Sequence, residues 1–67
     1  MNKLNFRTRA KCIHKIFGQV ECIDYFTCKK NAQENAKEIS CVHDTIGVIY
    51  LERWNGKKRE VLETTHF

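Results

Sequence analysis

Proline is absent from the 67 residues, and glycine occurs only three times. No proline-rich linker divides the chain, and no repeat or low-complexity tract is visible, so one domain is expected. The three glycines, Gly18, Gly47 and Gly56, fall in expected strands or turns. A glycine-rich phosphate loop is therefore excluded. No apolar run approaches the roughly 20 residues that span a bilayer. The basic N-terminal residues lack an apolar segment behind them, so no secretory signal is expected. Without such a signal, disulfides are the least expected use of the four cysteines. The aromatic signature run of RNA-binding sheets is missing, and so is a helix-turn-helix pattern. No catalytic motif stands out.

What is present suits a small folded domain: 42% apolar and 30% charged residues. A chain of this length buries only about 60% of its unfolded surface, so the core is small. It begins at Met1 and reads as a complete small gene product. The formal charge is +4. The excess is clustered at Lys3, Arg7, Arg9 and Lys11, at Lys29 and Lys30, and at Lys57, Lys58 and Arg59. Such clusters serve solubility, or contact phosphate or an acidic protein surface.

The strongest local signal is Trp54-Asn55-Gly56-Lys57, flanked by two runs that alternate apolar and polar residues. Asn-Gly takes the two left-handed positions of a type I′ turn, whose twist matches paired strands. Counting outward, this predicts Trp54 opposite Lys57, Glu52 opposite Arg59, Tyr50 opposite Val61 and Ile49 opposite Leu62. Ile49, Leu51 and Leu62 then lie beneath a helix, with Gly47 allowing close approach of its backbone. Val48, Tyr50, Trp54 and Val61 take the other face.

Upstream, residues 1–9 read as a basic arm or strand extension, and residues 10–67 as the domain. Residues 10–17 and 20–27 alternate like strands, with a turn at Gly18-Gln19. In the second run Val20, Cys22, Asp24 and Phe26 share one face. The period then changes. Asn31 and Glu34 fit a capping box, with Ala32, Ala36 and Ile39 on the inner face of a helix ending near Cys41. Cys28 and Val42 or His43 extend that face. The expected fold is α+β: a four-stranded antiparallel sheet with one helix packed on one face, in the order ββαββ. Its second face then presents Tyr50, Trp54 and Val61, with Tyr25 or Phe17, and a partner or a homodimer is the natural cover. The alternative is that Trp54 merely seals the sheet edge.

Three chemistries compete. Cys12-x-His14 and Cys41-x-His43, with Cys22 and Cys28 between, supply ligand types for zinc. Cysteine packed as a small apolar residue is the competing reading, and no cofactor is expected. Nucleophilic catalysis needs a base placed beside a cysteine and a pocket that excludes water, and a domain this small has little room for either. No enzyme activity is expected. Nucleic acid is the third option. Trp54 with Lys57, Lys58 and Arg59, or the arm with Phe6, offers stacking and phosphate contacts. Glu52, Glu60 and Glu63 dilute that field.

Over residues 10–65 the chain resembles small phage and mobile-element proteins, among them a type I-F anti-CRISPR protein with a ββαββ fold. The resemblance rests on residues 19–27 as strand, 31–41 as helix and 46–62 as a hairpin turning at Asn55-Gly56. It is one of arrangement and size. It implies a non-enzymatic cytoplasmic inhibitor that binds and blocks a host defence complex such as a CRISPR effector. A small basic nucleic-acid-binding protein and a zinc-stabilised interaction module are the alternatives. The expected partner-binding residues are Tyr50, Arg53, Trp54, Lys57, Lys58 and Arg59. Non-specific nucleic-acid contact is allowed for, no membrane partner is expected, and the state is monomer or homodimer.

Overall fold

The computed structural model describes residues 4–41 and 45–67. Four strands and one helix follow in the order β1 (Phe6–His14), β2 (Gly18–Phe26), α1 (Lys29–Ile39), β3 (Thr45–Trp54) and β4 (Arg59–His66). The strands form one antiparallel sheet in the order β2-β1-β3-β4. The fold is α+β, as the alternation of the strand runs and the single helical period require.

The two central strands are the first and third in sequence. Residues 6–9 pair on one side with β2 and on the other with β3. The basic N-terminal stretch is thus strand from Phe6 onward, and Lys3 lies outside the described residues. The register sorts side chains cleanly. Ala10 lies between Cys22 and Ile49, and Thr8 between Asp24 and Leu51, all on the face toward α1. Arg7, Arg9 and Lys11 alternate to the opposite face.

The core is narrow. Ala10, Cys12, Ala32, Ala36, Ile49 and Leu51 are buried, and Ile39 and Phe67 pack against them. Alanines on both helix and sheet let α1 lie close over β1. A hydrogen bond from Thr8 Oγ1 to Asn35 Oδ1 (2.8 Å) fastens the helix there, and one from Gln33 Nε2 to Glu63 Oε2 (2.6 Å) reaches β4. Phe67 exchanges backbone hydrogen bonds with Gly47 and closes the end of the core.

Three local expectations are corrected. The helix starts at Lys29 with Cys28 at the N-cap and no side-chain cap, so Asn31 lies inside the first turn. Starting three residues earlier gives Ala32 a formed turn beneath it where it packs on the sheet, and burial outweighs the cap. Cys28 is exposed and adds nothing to the inner face, while Val42 and His43 lie outside the described residues.

The 54–59 turn is also different. Of the two central residues only Gly56 takes a positive φ, +98°. Asn55 keeps a negative one because its Oδ1 accepts the amides of Lys57 (2.8 Å) and Lys58 (2.9 Å). That side-chain turn lengthens the loop to four residues. Trp54 therefore faces Arg59, Arg53 faces Glu60 and Glu52 faces Val61. A bulge at Leu62 follows, after which Leu51 faces Glu63 and Ile49 faces Thr65. The slip is two residues before the bulge and three after it. Tyr50, Trp54 and Val61 remain on the uncovered side, but Leu62, expected beneath the helix opposite Ile49, is the bulged residue, and Glu63 and Thr65 stand opposite Leu51 and Ile49 instead.

Gly47 is the third case. The backbone close to it belongs to β1: a Cβ there would collide with the carbonyl of Lys11 and sit 2.8 Å from Cys12 Cα. Gly47→Ala must therefore push the two central strands apart. It is expected to cost about 1–3 kcal/mol, read as a lower urea midpoint at unchanged m-value.

Candidate functional site: an arginine–aromatic cluster on the uncovered sheet face

No described helix packs on the second face of the sheet, yet that face contains a buried charge. Glu52, near the end of β3, is only 3% exposed. Its carboxylate accepts a short hydrogen bond from Arg7 Nε and a longer one from Arg9 Nη2 (3.4 Å). Both arginines come from β1, two residues apart, and Arg7 lies directly opposite Glu52. Alternation on a strand thus brings two guanidinium groups to one carboxylate. The hydrogen bond to Glu52 raises the Arg7 guanidinium above its ordinary pKa. Burial opposes that shift, and Tyr25 adds to it.

Aromatic rings surround this centre. The Arg9 guanidinium lies 4.9 Å from the centre of the Tyr50 ring, its neighbour across β1 and β3. Arg59 lies 5.7 Å from each of Tyr25 and Trp54. Its Nη1 also donates to the carbonyl of Asn5 (3.0 Å), which accepts from the Trp54 amide as well (2.7 Å). Three arginines, three aromatics and one carboxylate thus form a continuous layer. Arginine over an aromatic face contributes about 0.5–2 kcal/mol, depending on exposure. Tyr25, Trp54 and Val61 keep much of their surface exposed.

Of the six residues read from sequence as partner-binding, Tyr50, Trp54 and Arg59 belong to this layer. Arg53 does not. It points to the helix side, where its Nη2 pairs with Glu60 Oε2 at 3.2 Å. Lys57 and Lys58 sit on the exposed turn, and their printed hydrogen bonds are those of their amides to Asn55. Tyr25 was expected on this face as an alternative to Phe17; Arg7, Arg9 and Glu52 were missed as members of the site. Only the alternation of Arg7 and Arg9 pointed to them, and their partners lie about 45 residues away.

The metal and cysteine readings can be placed as well. Cys12 is buried on the helix side, and burial pushes its thiol pKa up, with a smaller effect from Cys22. Cys12 faces Val20, not Cys22, across the first hairpin. His14 Nδ1 accepts the amides of Ile16 (3.0 Å) and Phe17 (3.3 Å). Phe17 belongs to that turn and not to the aromatic layer. Cys22, Cys28 and Cys41 are exposed thiols. His43 lies outside the described residues, and among the described residues no three metal-ligating side chains converge. No described helix is long and apolar enough to cross a membrane.

Removing the Glu52 charge should leave two guanidinium groups facing one another. Glu52→Gln is expected to lower stability by about 2–4 kcal/mol in urea titration, a large fraction of what so small a domain possesses. At the hairpin end, hydrogen bonds from Asn55 and then Arg53 hold the Glu60 carboxyl below its ordinary range. A depressed carboxyl stabilises the fold above its unfolded pKa and loses that contribution as pH falls through the folded value. NMR titration should find Glu60 protonating below ordinary glutamate, and Asn55→Ala should move it back up. No family model, curated protein or solved structure matches this chain, so its function is argued from this geometry.

Proposed function

We propose that this protein is a small non-enzymatic inhibitor of phage or mobile-element origin. It acts in the host cytosol by occupying the surface of a defence complex, most concretely a CRISPR effector. The observation that supports this reading is the arginine–aromatic layer on the uncovered face. Trp, Tyr and Arg are the side chains that dominate binding energy at protein interfaces. Here Glu52 and the ring contacts hold three arginines in place before any partner arrives. Pre-ordering of this kind lowers the entropy lost on association. A stable interface needs about 800 Å² from each partner, which a face of this size can supply. The contact surface is centred on Tyr25, Tyr50, Trp54, Arg9 and Arg59, with the exposed Lys57 and Lys58 at its rim.

Nucleic acid is the second reading. The same face carries Arg7, Arg9, Lys11 and Arg59 against Glu21 and Glu52. Against it, Glu52 neutralises much of the charge of Arg7 and Arg9, and the rings suited to base stacking already carry guanidinium groups. A direct nucleic-acid contact would weaken steeply as salt rises.

The test is phage plating on bacteria with active CRISPR immunity, type I-F and a panel of other types, with the protein expressed in the cell. Plating should rise by about 100-fold or more in at least one strain. Trp54→Ala with Arg59→Glu, shown folded by circular dichroism, should abolish the effect. Lys57→Glu with Lys58→Glu should reduce it by less. Unchanged immunity in every strain would sink the anti-CRISPR assignment. Salt-sensitive binding of single-stranded DNA or RNA by the purified protein would then favour the second reading.

A further inference from the structure

We propose that two copies of this chain associate through their β2 strands, in antiparallel register about Cys22, giving one sheet of eight strands. The two edges of the sheet are not equivalent. β4 is interrupted by the bulge at Leu62. β2 is nine residues long and regular, pairs only with β1, and carries no proline, lysine or arginine. Proline and lysine are usual devices that keep an edge from pairing; of such devices β2 has only its two acids, Glu21 and the helix-side Asp24. The helix lies chiefly over β1 and touches β2 as well, but Glu21 to Tyr25 of β2 remain exposed.

Charge permits the pairing. With the two-fold axis through Cys22, Val20 faces Asp24 of the second copy, Glu21 faces Ile23 and Gln19 faces Tyr25. The two acids point to opposite faces of the sheet and neither stands directly opposite an acid; the one like-charge approach is diagonal, between Glu21 of the two copies.

A separate observation selects this register. The β1–β2 turn displays Ile16 at 82% and Phe17 at 77% exposure, the most exposed large apolar residues described. Their amides are already satisfied by His14 Nδ1, so covering this turn leaves neither donor unpaired. In an antiparallel pair about Cys22 the start of one β2 lies beside the end of the other. Ile16 and Phe17 of each copy then reach the Phe26, Thr27 and Cys28 segment of its partner. The association covers both the open edge and the exposed turn, and it places the two arginine–aromatic layers on the same face. It does not depend on which partner those layers bind.

Sedimentation equilibrium from about 1 μM to 1 mM protein should show a monomer–dimer equilibrium. Cys22→Lys, which sets two ammonium groups across the axis, and separately Phe17→Ser should each weaken it by about tenfold or more. Circular dichroism and the urea midpoint check that each variant folds. A second measurement keeps residue 22 native. In a Cys28→Ser/Cys41→Ser chain, diamide should join Cys22 to Cys22 of the second copy. The S–S bond forms as diamide takes up two electrons and two protons. Opposed strand residues lie about 4.5–5.5 Å apart at Cα, within disulfide range. A protein monomeric to 1 mM overturns the proposal. So does a dimer of unchanged affinity in both folded variants, or a dimer in which Cys22 is not cross-linked.

Discussion

Glu52 occupies a central strand on the face that no helix covers, and it is nearly inaccessible to solvent. A carboxylate in that position is tolerated only because Arg7 and Arg9 meet it from the adjacent strand. Removing either side of such an arrangement exposes the penalty of burying an uncompensated charge. The interaction also crosses the middle of the sheet, tying the first strand to the third. It therefore acts where a second layer of apolar side chains would act in a larger domain. The opposite face is held by a handful of small side chains, chiefly alanines, with Ile49 and Leu51. Neither face alone has much to spare, so the polar layer and the alanine layer stabilise the same two central strands from opposite sides.

The same constraint shapes the surface offered to a partner. Guanidinium groups that neutralise Glu52 cannot sweep freely through solvent, and Arg9 is further fixed by the ring of Tyr50. Arg59, held by Asn5 and flanked by Tyr25 and Trp54, extends the layer toward the turn at residues 55–58. The result is a flat, mixed surface of rings and planar cations with little conformational entropy left to lose. The turn itself is polar and well satisfied through Asn55, which serves the amides of Lys57 and Lys58 and the carboxylate of Glu60 at once. At the other end of the sheet the character reverses. There the β1–β2 turn is apolar, and its backbone donors are closed by His14.

Strand and helix order was legible because each element carries a strong period, and the faces of β2 and β3 followed from alternation alone. The Asn55-Gly56 pair located a turn but misled about its length. Asparagine can support a turn by backbone conformation or by side-chain acceptance, and the second won. The slip, two residues before the bulge and three after it, altered only β4, which is why Tyr50 and Trp54 on β3 were placed on the right face while their cross-strand partners and Leu62 were not. Arg53 failed for a simpler reason: proximity along the chain to Trp54 puts adjacent strand residues on opposite faces. The helix start was misjudged because the position of Ala32 over the sheet outweighed the capping preference of Asn31.

By itself, the sequence determined the element order, the fold class, the alanine face of the helix and the side of the sheet on which the aromatics lie. Those depend on local periodicity, which any window of about ten residues contains. Tertiary structure alone decided that β1 lies between β2 and β3, and so which charges meet. Arg7 and Arg9 are two basic residues in a basic stretch until β3 brings Glu52 beside them from about 45 positions away. Only that pairing turns a scattered excess of positive charge into an ordered layer, because partners across a sheet are set by strand order and register and not by distance along the chain.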